Sequence, residues 1–226
     1  MSTIDQAGFR ILAMPEKIST AFIDAYREMV TPHIGDSMNR LTGSVGLQRY
    51  HREQKLVGRA ITVKARPGDN LMIHKALDMA ESGDVIVVDA NRDVSQALVG
   101  ELMMMHAQVR GIAGFVIDGA IRDVAAFYDA DFPCYARGNT LRGPFKDGPG
   151  EINVPVSVGG MSVDAGDLVV GDEDGVIAIP QRLLQSVLDG ARRQAQRETE
   201  RKRLIASGQD KRDWIDAYLR SKGVIL

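Results

Sequence analysis

Residues 114–123 of this chain read Gly-Phe-Val-Ile-Asp-Gly-Ala-Ile-Arg-Asp. Their apolar run, Phe115-Val116-Ile117, predicts a strand buried in a parallel sheet. A second run of this kind, Val85-Ile86-Val87-Val88, comes earlier, and a predicted helix from about Ala97 to Arg110 lies between the two. The order strand, helix, strand predicts an α/β protein with a βαβ core.

The segments on either side of the core extend this pattern. Alternating apolar residues predict a strand from Leu56 to Arg66, and Asp69-Asn70 can cap a helix that follows it. Helical spacing interrupted at Thr31-Pro32 predicts two short helices between Ile18 and Leu41. After the strand at 115–117, a short helix is predicted from Arg122 to Asp129.

Beyond Pro133 the pattern changes to short strands separated by glycines. Strands are predicted at Val154–Val158, Met161–Val163, Leu168–Val170 and Val176–Ile179. Gly159-Gly160 predicts a hairpin loop. Helical spacing then predicts C-terminal helices over about 181–226, the last one from about Lys211 to Arg220. The apolar side of that last helix is predicted to dock on the body of the protein or on a neighbouring subunit.

Composition limits the class of protein and its partners. The chain has 226 residues, 44% of them hydrophobic, and a formal net charge of −2. We expect one domain over residues 1–226 and no nucleic acid as a partner, because no overall basic excess is present. We also expect a cytoplasmic protein that binds no membrane, since signal-peptide and membrane-spanning patterns are missing. The single cysteine, Cys134, is predicted to pack in a strand.

Two segments carry side chains that can do chemistry. Gly100-Glu101-Leu102-Met103 lies near the start of a predicted helix, where unpaired N–H groups bind anions such as carboxylates. Taken alone, this segment is better explained by an ordinary helix with a surface charge at Glu101. Asp118, Arg122 and Asp123 put two carboxylates and a guanidinium at the end of a buried strand. A strand cap with a surface Asp–Arg pair explains this cluster equally well.

Several classes of cofactor are not expected, because the sequence lacks the motifs that bind them. None of the four histidines has a second His or Cys at metal-ligand spacing, so a bound metal is expected to be Mg²⁺ or Mn²⁺ rather than zinc. No Gly-x-Gly-x-x-Gly follows a strand, and no Gly-Lys-Ser/Thr occurs. We therefore expect no dinucleotide, ATP or S-adenosylmethionine.

A series of ordered blocks covers most of the chain. They are Pro67-Gly68-Asp69-Asn70, Gly83 to Asp89, Gly100-Glu101-Leu102, Asp118 to Asp123, Phe132-Pro133, Pro155-Val156, Gly159-Gly160 and Gly166 to Val176. Together they resemble the RraA-like family, which includes the 4-hydroxy-4-methyl-2-oxoglutarate / 4-carboxy-4-hydroxy-2-oxoadipate aldolases and the regulator of ribonuclease activity A. The resemblance implies an α/β sandwich of the ββα swivelling-domain type, here with a C-terminal helical extension. It also implies a homotrimer, or a homohexamer built as a dimer of trimers, with active sites between subunits.

The same resemblance implies a catalytic set. In the family's aldolases an acidic residue, twenty intervening residues and an Arg-Asp pair mark the site, and this chain matches with Glu101, Arg122 and Asp123. Many of these aldolases carry Asp where this chain has Glu101, which is longer by one methylene. Ribonuclease regulators tend to lose the acidic residue after the arginine, whereas this chain keeps Asp123. The residues expected to bind substrate are Gly100, Glu101, Leu102, Met103 and Arg122.

The implied activity is that of a class II pyruvate aldolase that needs Mg²⁺ or Mn²⁺. It would cleave substrates of the 4-hydroxy-4-methyl-2-oxoglutarate type to pyruvate and a keto acid, with oxaloacetate decarboxylation as a side activity. Arg122 and Glu101 would be catalytic and Asp123 the metal ligand, and Glu198 or Glu200 of a neighbouring subunit could reach the metal's outer water shell. The alternative is a non-catalytic regulator that binds a ribonuclease or a helicase.

Overall fold

The computed structural model describes residues 8–225. These residues form seven α-helices: α1 (Thr20–Arg27), α2 (Thr31–Ser37), α3 (Leu71–Met79), α4 (Glu101–Val109), α5 (Val124–Ala130), α6 (Leu184–Ala206) and α7 (Trp214–Ser221). The same part of the chain forms eleven strands: β1 (Gln48–Arg49), β2 (Leu56–Ala65), β3 (Asp84–Asp89), β4 (Ala97–Val99), β5 (Gly114–Ile121), β6 (Cys134–Asn139), β7 (Gly150–Ile152), β8 (Val156–Val158), β9 (Met161–Val163), β10 (Leu168–Asp172) and β11 (Gly175–Ile179).

Nine of these strands form one mixed sheet with the order β1-β6-β5-β3-β2-β10-β11. The two remaining members, β4 and β7, pair with the carboxyl ends of β5 and β2. The central strands β2, β3, β5 and β6 run parallel to one another, while β10 and β11 continue the sheet in antiparallel register. Both faces of the central strands are covered, which explains their continuous apolar sequences.

Apolar cores lie on both faces of the sheet. On one face, α3, α4 and α5 pack against side chains such as Ile61, Ile86 and Phe115. On the other face, the hairpin β8–β9 packs against side chains such as Val87 and Val116. A third core joins α1, α2 and α6 to β10 and β11. The fold is therefore mixed α/β, with a long helix after the sheet.

The helix predicted from Ala97 to Arg110 begins later than expected. Ala97–Val99 form the buried strand β4, and the helix starts at Glu101. Between the two elements Gly100 is extended, with φ −155° and ψ −167°. A helix that ran from Ala97 through Gly100 would place a glycine in its interior, which costs about 1 kcal/mol relative to alanine. As a strand, the three apolar residues Ala97–Val99 instead pair with β5 and are buried. The correction affects the functional site, because it places the end of a strand, and not a helix interior, next to Arg122.

Two further predictions differ from the structure. The two short helices predicted between Ile18 and Leu41 are confirmed as α1 and α2, but the break between them comes before Thr31. Thr31-Pro32 begins α2, because proline fits a first helical turn and the Thr31 N–H donates to the Asp172 carboxylate (2.7 Å). The last helix begins at Trp214 and not at Lys211, and it has no buried residue. It buries no side chain fully against the described body of the chain, and docking on a neighbouring subunit stays a prediction.

Other local predictions are confirmed. Gly159-Gly160 forms the turn between β8 and β9, with positive φ at both glycines (59° and 81°), as a two-residue hairpin of type I′ requires. Cys134 is fully buried in β6. Within residues 8–225, no helix combines the length and the apolar character that crossing a membrane requires.

Candidate active site

The candidate site forms where two neighbouring parallel strands end. β4 lies beside the end of β5, with Val99 opposite Ile121, and the Arg122 N–H donates to the Val99 carbonyl (3.0 Å). The residues that follow these strands, Gly100 on one and Arg122 on the other, are therefore in contact although they are far apart in sequence. The carboxyl ends of parallel strands are the usual ligand-binding edge of an open α/β sheet.

Asp123 turns its carboxylate toward the start of α4. Its backbone is left-handed (φ 54°, ψ 42°), a conformation that aspartate adopts more readily than most residues. Its Oδ2 accepts the N–H of Glu101 (3.1 Å) and lies 3.5 Å from Arg122 Nε. Although Asp123 immediately precedes α5, its side chain makes no capping hydrogen bond to that helix. The carboxylate therefore binds the start of α4 at the site and does not cap α5.

Gly100 allows these groups to approach one another. A Cβ at this position would lie 2.5 Å from Asp123 Oδ2 and 2.9 Å from Arg122 Cγ, which is closer than Cβ atoms come to other atoms. The φ of −155° is accessible to any residue, so the need for glycine here comes from space and not from backbone conformation. Close packing at Gly100 is thus part of how the site is built.

The first turn of α4 borders a small cavity of about 100 Å³. Gly100, Leu102, Met103 and Arg122 all line this cavity. The N–H groups of Leu102 and Met103 lie in the first helical turn and have no acceptor within the helix. Such N–H groups bind carboxylates and phosphates. The cavity therefore offers an anion site beside the Arg122 guanidinium.

Glu101 and Asp123 are not part of the cavity wall in the single chain. Glu101 is exposed at the start of α4, and the side chains of Arg122 and Asp123 are 44% and 43% exposed. The structure thus brings most of the predicted residues into one cavity. It places Asp123 next to that cavity through its contacts with Arg122 and with the Glu101 N–H.

Asp118 lies outside the site, so the predicted cluster of two carboxylates with Arg122 is wrong. Asp118 is 1% exposed within β5 and forms an ion pair with Arg137 of β6. Its Oδ2 accepts the N–H of Gly159 in the β8–β9 turn (2.7 Å). Alternate residues of a strand share one face, and Asp118 has the same parity as Val116, which packs under the hairpin. Its carboxylate therefore ties the hairpin to the sheet.

Three polar residues of the cavity wall were not identified from the sequence: Asn70, His74 and Lys146. Asp69-Asn70 were predicted only as helix caps, and only one of the two side chains forms a capping hydrogen bond. Asp69 Oδ1 accepts the Leu71 N–H (2.9 Å), whereas the Asn70 side chain makes no capping hydrogen bond. Lys146 lies in the loop between β6 and β7, which has no local pattern that indicates a site.

The polar groups of this wall have distinct electrostatic states. Burial lowers the pKa of His74, and the positive charge of Lys146 lowers it further, so His74 is neutral near pH 7. Asn70 is 3% exposed, and its Nδ2 donates to the Leu98 carbonyl (2.9 Å). Its buried Oδ1 has no hydrogen-bond partner among residues 8–225. A buried acceptor without a donor is costly to the folded state.

A divalent metal has one evident ligand at this site. In the part of the chain that the structure describes, no group of three or more His, Cys, Asp or Glu side chains is arranged to hold a metal ion. Mg²⁺ does not need such a group, because it commonly binds one or two carboxylates and keeps several waters. Asp123 fits this mode, since it is half-exposed and no described residue bonds to its Oδ1.

The two glutamates of α6 that were considered for a neighbouring site have partners in their own chain. Glu198 lies 3.0 Å from His33 Nε2, and Glu200 lies 2.8 Å from Arg203 Nη2. Neither lines the cavity of its own chain. Their approach to a neighbouring subunit's site stays a prediction.

A family model and a named relative match this chain in sequence. A family model described as Aldolase/RraA matches residues 31–178. The chain is 41% identical over 186 residues to a protein of Halalkalibacterium halodurans named "Putative 4-hydroxy-4-methyl-2-oxoglutarate aldolase". That match covers 82% of this chain and 89% of the relative.

Two solved structures share the fold. An uncharacterized protein from Pseudomonas syringae has a TM-score of 0.77 at 27% identity, over 87% of this chain and 97% of that chain. Streptomyces coelicolor RraAS2, described as an unusual member of the RNase ES inhibitor RraA protein family, has a TM-score of 0.75 at 25% identity. That match covers 82% of this chain and 97% of RraAS2. On the strength of the family match and the 41% identical relative, this chain belongs to the RraA-like family.

Proposed function

We propose that the protein is a class II aldolase that depends on a divalent metal, Mg²⁺ or Mn²⁺. Its substrates are 4-hydroxy-2-oxo acids of the 4-hydroxy-4-methyl-2-oxoglutarate / 4-carboxy-4-hydroxy-2-oxoadipate type, which it cleaves to pyruvate and a second keto acid. The observation that carries this proposal is a cavity lined by Arg122 and the open first turn of α4, with the Asp123 carboxylate beside it in contact with both. The name of the 41% identical relative supports the same activity.

Asp123 is the proposed metal ligand. Its Oδ2 accepts the Glu101 N–H and lies 3.5 Å from Arg122 Nε, while its Oδ1 has no hydrogen-bond partner among residues 8–225. When bound there, the ion supplies Lewis-acid polarisation of the substrate's keto oxygen. Every other role in the proposal is carried by side chains and N–H groups of the chain itself.

The chain's own groups hold the keto acid end of the substrate. The N–H groups of Leu102 and Met103 bind the C1 carboxylate, as the first turn of a helix does for anions. The Arg122 guanidinium lies at the keto oxygen, where negative charge develops as the C3–C4 bond breaks. Its planar, permanent charge suits a developing enolate oxygen better than a flexible ammonium does.

Glu101 is the proposed base. Its carboxylate takes the proton of the 4-hydroxyl while the C4–O bond becomes a carbonyl, and the electrons of the C3–C4 bond move toward the keto oxygen. Return of that proton to C3 gives pyruvate and balances the reaction. Oxaloacetate fits the same site, because loss of CO₂ sends electrons to the same keto oxygen. Decarboxylation is therefore the proposed side activity.

A regulator without catalysis is the competing function, because RraAS2 is described as a member of a ribonuclease inhibitor family. The groups retained in this chain favour the enzyme. Asp123 carries a carboxylate that does not cap α5 and whose Oδ1 has no hydrogen-bond partner among residues 8–225, and Gly100 leaves the space in which that carboxylate meets Arg122.

A coupled assay for pyruvate tests the proposal. Purified protein is supplied with 4-hydroxy-4-methyl-2-oxoglutarate or oxaloacetate after treatment with EDTA, and then with excess Mg²⁺ or Mn²⁺. We expect pyruvate release only after the metal is added. Full activity in EDTA would contradict metal dependence. Because Lys146 lines the cavity, borohydride is added with pyruvate in a parallel sample, and a stable mass increase at Lys146 would indicate Schiff-base chemistry instead.

The same proposal includes a homotrimer or a homohexamer. The cavity of a single chain is small for a ligand site, which usually encloses about 300 Å³ or more, and α7 has no buried residue. A neighbouring subunit can add walls to the cavity and can cover α7. Light scattering coupled to gel filtration is expected to give three or six times the 24.7 kDa chain mass, and an active monomer would contradict a shared site.

A further inference from the structure

A second cavity lies at the other end of the parallel strands from the candidate active site. The candidate site follows β4 and β5, whereas the second cavity is bordered by the segments that precede β2, β3, β5 and β6. Its volume is about 380 Å³, compared with about 100 Å³ for the candidate site. That volume falls within the usual range of small-molecule sites, about 300 to 1,000 Å³.

The second cavity has an apolar floor and a polar rim. Val57, Ile112 and Phe132 form the floor, and each is at most 5% exposed. The rim carries side chains that can donate hydrogen bonds: Arg27, Gln54, Lys55, Ser82 and Gln108. No Asp or Glu among residues 8–225 lines the cavity. The floor suits a short carbon skeleton, and the rim suits negatively charged groups that accept hydrogen bonds.

Lys55 is the more buried of the two cations at the rim. It lies directly before β2, and its amino group donates to the Met29 carbonyl after α1. Burial lowers the pKa of Lys55. Three carboxylates oppose that shift without reversing it: Asp172, Glu173 and Glu28. The chain therefore compensates this charge only in part, and an anion in the cavity would complete the compensation.

Arg27 is the second cation, and its pairing within the chain is weak. Its Nε lies 3.9 Å from the Asp24 carboxylate, and both side chains are more than half exposed. Exposed pairs of this kind typically contribute less than about 1 kcal/mol. The Arg27 guanidinium can therefore bind a ligand at little cost.

The helices at the second cavity end there and do not begin there. Arg27 is the last residue of α1, Gln108 lies in the last turn of α4, and Ala130 ends α5. The described part of the cavity therefore lacks the first-turn N–H groups that bind compact anions such as phosphate. Helix ends carry a partial negative charge, so an anion here depends on the two cations. Donors at separate points of the rim favour an anion whose charges are also separate.

We propose that the second cavity is a binding site for a small polycarboxylate. Lys55 and Arg27 bind its carboxylates through charge, and the neutral donors of the rim add hydrogen bonds. The carbon skeleton lies on the apolar floor. The site is separate from the candidate active site and does not depend on the proposed function.

Calorimetric titration tests this proposal without metal and without turnover. Propane-1,2,3-tricarboxylate is compared with butanoate, which has a single carboxylate, in EDTA at about pH 7.5, where carboxylates are ionised. We expect one tricarboxylate per chain, bound at least about tenfold more tightly than butanoate, the factor that corresponds to one additional charge-assisted hydrogen bond. Added salt is expected to reduce the difference. Equal binding of the two acids, or tighter binding of inorganic phosphate than of the tricarboxylate, would overturn the proposal.

Variants of the rim locate the bound tricarboxylate. Arg27→Gln and Lys55→Met are each expected to weaken its binding about tenfold. Arg182→Gln and Lys75→Met are the matched controls, because both residues are exposed cations outside the cavity. Lys55→Met also removes the bond to Met29, so the thermal midpoint of each variant is measured. Arg27 is exposed, so Arg27→Gln tests the site even if Lys55→Met does not fold.

Variants of the candidate active site test whether the tricarboxylate binds there instead. Arg122→Gln and Lys146→Met are expected to bind it with unchanged affinity, because neither residue lines the second cavity. A loss of affinity in Arg27→Gln at an unchanged thermal midpoint would support the second cavity. Wild-type affinity in Arg27→Gln, together with a loss in either variant of the candidate site, would overturn the proposal.

Discussion

The chain contains two arginine–aspartate pairs on or beside strand β5, and they have opposite characters. Asp118 is buried, and both of its oxygens are satisfied by Arg137 and by the Gly159 N–H. Asp123 and Arg122 are half-exposed, their closest approach is 3.5 Å, and one Asp123 oxygen has no partner among residues 8–225. A satisfied buried pair holds structure, whereas an open pair at a cavity keeps bonding capacity for a ligand. The two pairs should therefore respond differently to the same kinds of substitution.

Asp118→Asn is expected to have the largest effect, and the effect is on folding. It removes the charge that pairs with Arg137 and leaves the guanidinium partly buried, at a cost of about 3 kcal/mol in the free energy of unfolding. Urea denaturation followed by circular dichroism measures this loss. A change below about 0.5 kcal/mol, the usual effect of a surface substitution, would show that the buried pair does not hold the hairpin.

Arg122→Lys is expected to reduce kcat for pyruvate release by about a hundredfold and to leave stability nearly unchanged. An ammonium cannot reproduce the planar guanidinium at a developing enolate oxygen, while the exposed position tolerates either side chain. Steady-state kinetics and urea denaturation of the same preparation give both quantities. Arg182→Lys, an exposed arginine outside the cavity, is the control, and wild-type kcat in Arg122→Lys would make Arg122 a structural residue.

Gly100→Ala is expected to lower activity by about tenfold or more, because its Cβ would displace both Asp123 Oδ2 and the stem of Arg122. Gly35→Ala is a suitable control, since a Cβ there meets only ordinary van der Waals contact at 3.9 Å. Activity is compared with the thermal midpoint of each variant. If Gly100→Ala retains full activity, the close approach of Arg122 and Asp123 is not needed for catalysis.

Asp123→Asn is expected to weaken Mg²⁺ binding by about tenfold and to change stability least of the four substitutions. Asparagine also adopts the left-handed backbone at this position, and its amide oxygen can still accept the Glu101 N–H that Asp123 Oδ2 accepts. Calorimetric Mg²⁺ titration measures the affinity. Unchanged affinity would mean that other residues bind the metal. The Arg122–Asp123 pair would then not differ from the Arg137–Asp118 pair in binding a ligand.

Sequence reasoning located the residues that meet at the candidate site better than it located the element that positions them. Gly100, Arg122 and Asp123 were found from motif spacing, and the alternation of elements predicted the α/β fold. The strand β4 was taken for the start of a helix, since three apolar residues fit either element and only pairing with β5 decides between them. Asp118 was assigned to the site because sequence order does not show that its partner, Arg137, lies on the next strand.

Lys146 illustrates the limit of local patterns. It is located by hydrogen bonds from the neighbouring Asp147 and Gly148 to Asp69, more than seventy residues earlier in the chain. No periodicity or capping motif within the loop records that contact. Asp69 was predicted only as a helix cap. Its Oδ1 does accept the Leu71 N–H at the start of α3, but its Oδ2 accepts the Asp147 N–H of the loop.

The hydrogen bond from Glu101 to Asp123 has a consequence for how substrate preference can change. The donor is the main-chain N–H of residue 101, so its partner is held in the same place whatever side chain that residue carries. The adjoining bond from the Arg122 N–H to Val99 is also independent of side chains. Exchange of glutamate for aspartate at position 101 thus moves the side-chain carboxylate by about the length of one methylene. The main-chain hydrogen bonds that hold Asp123 and Arg122 stay in place. Under the proposed function, single substitutions at position 101 are expected to change substrate preference without moving Arg122 or Asp123.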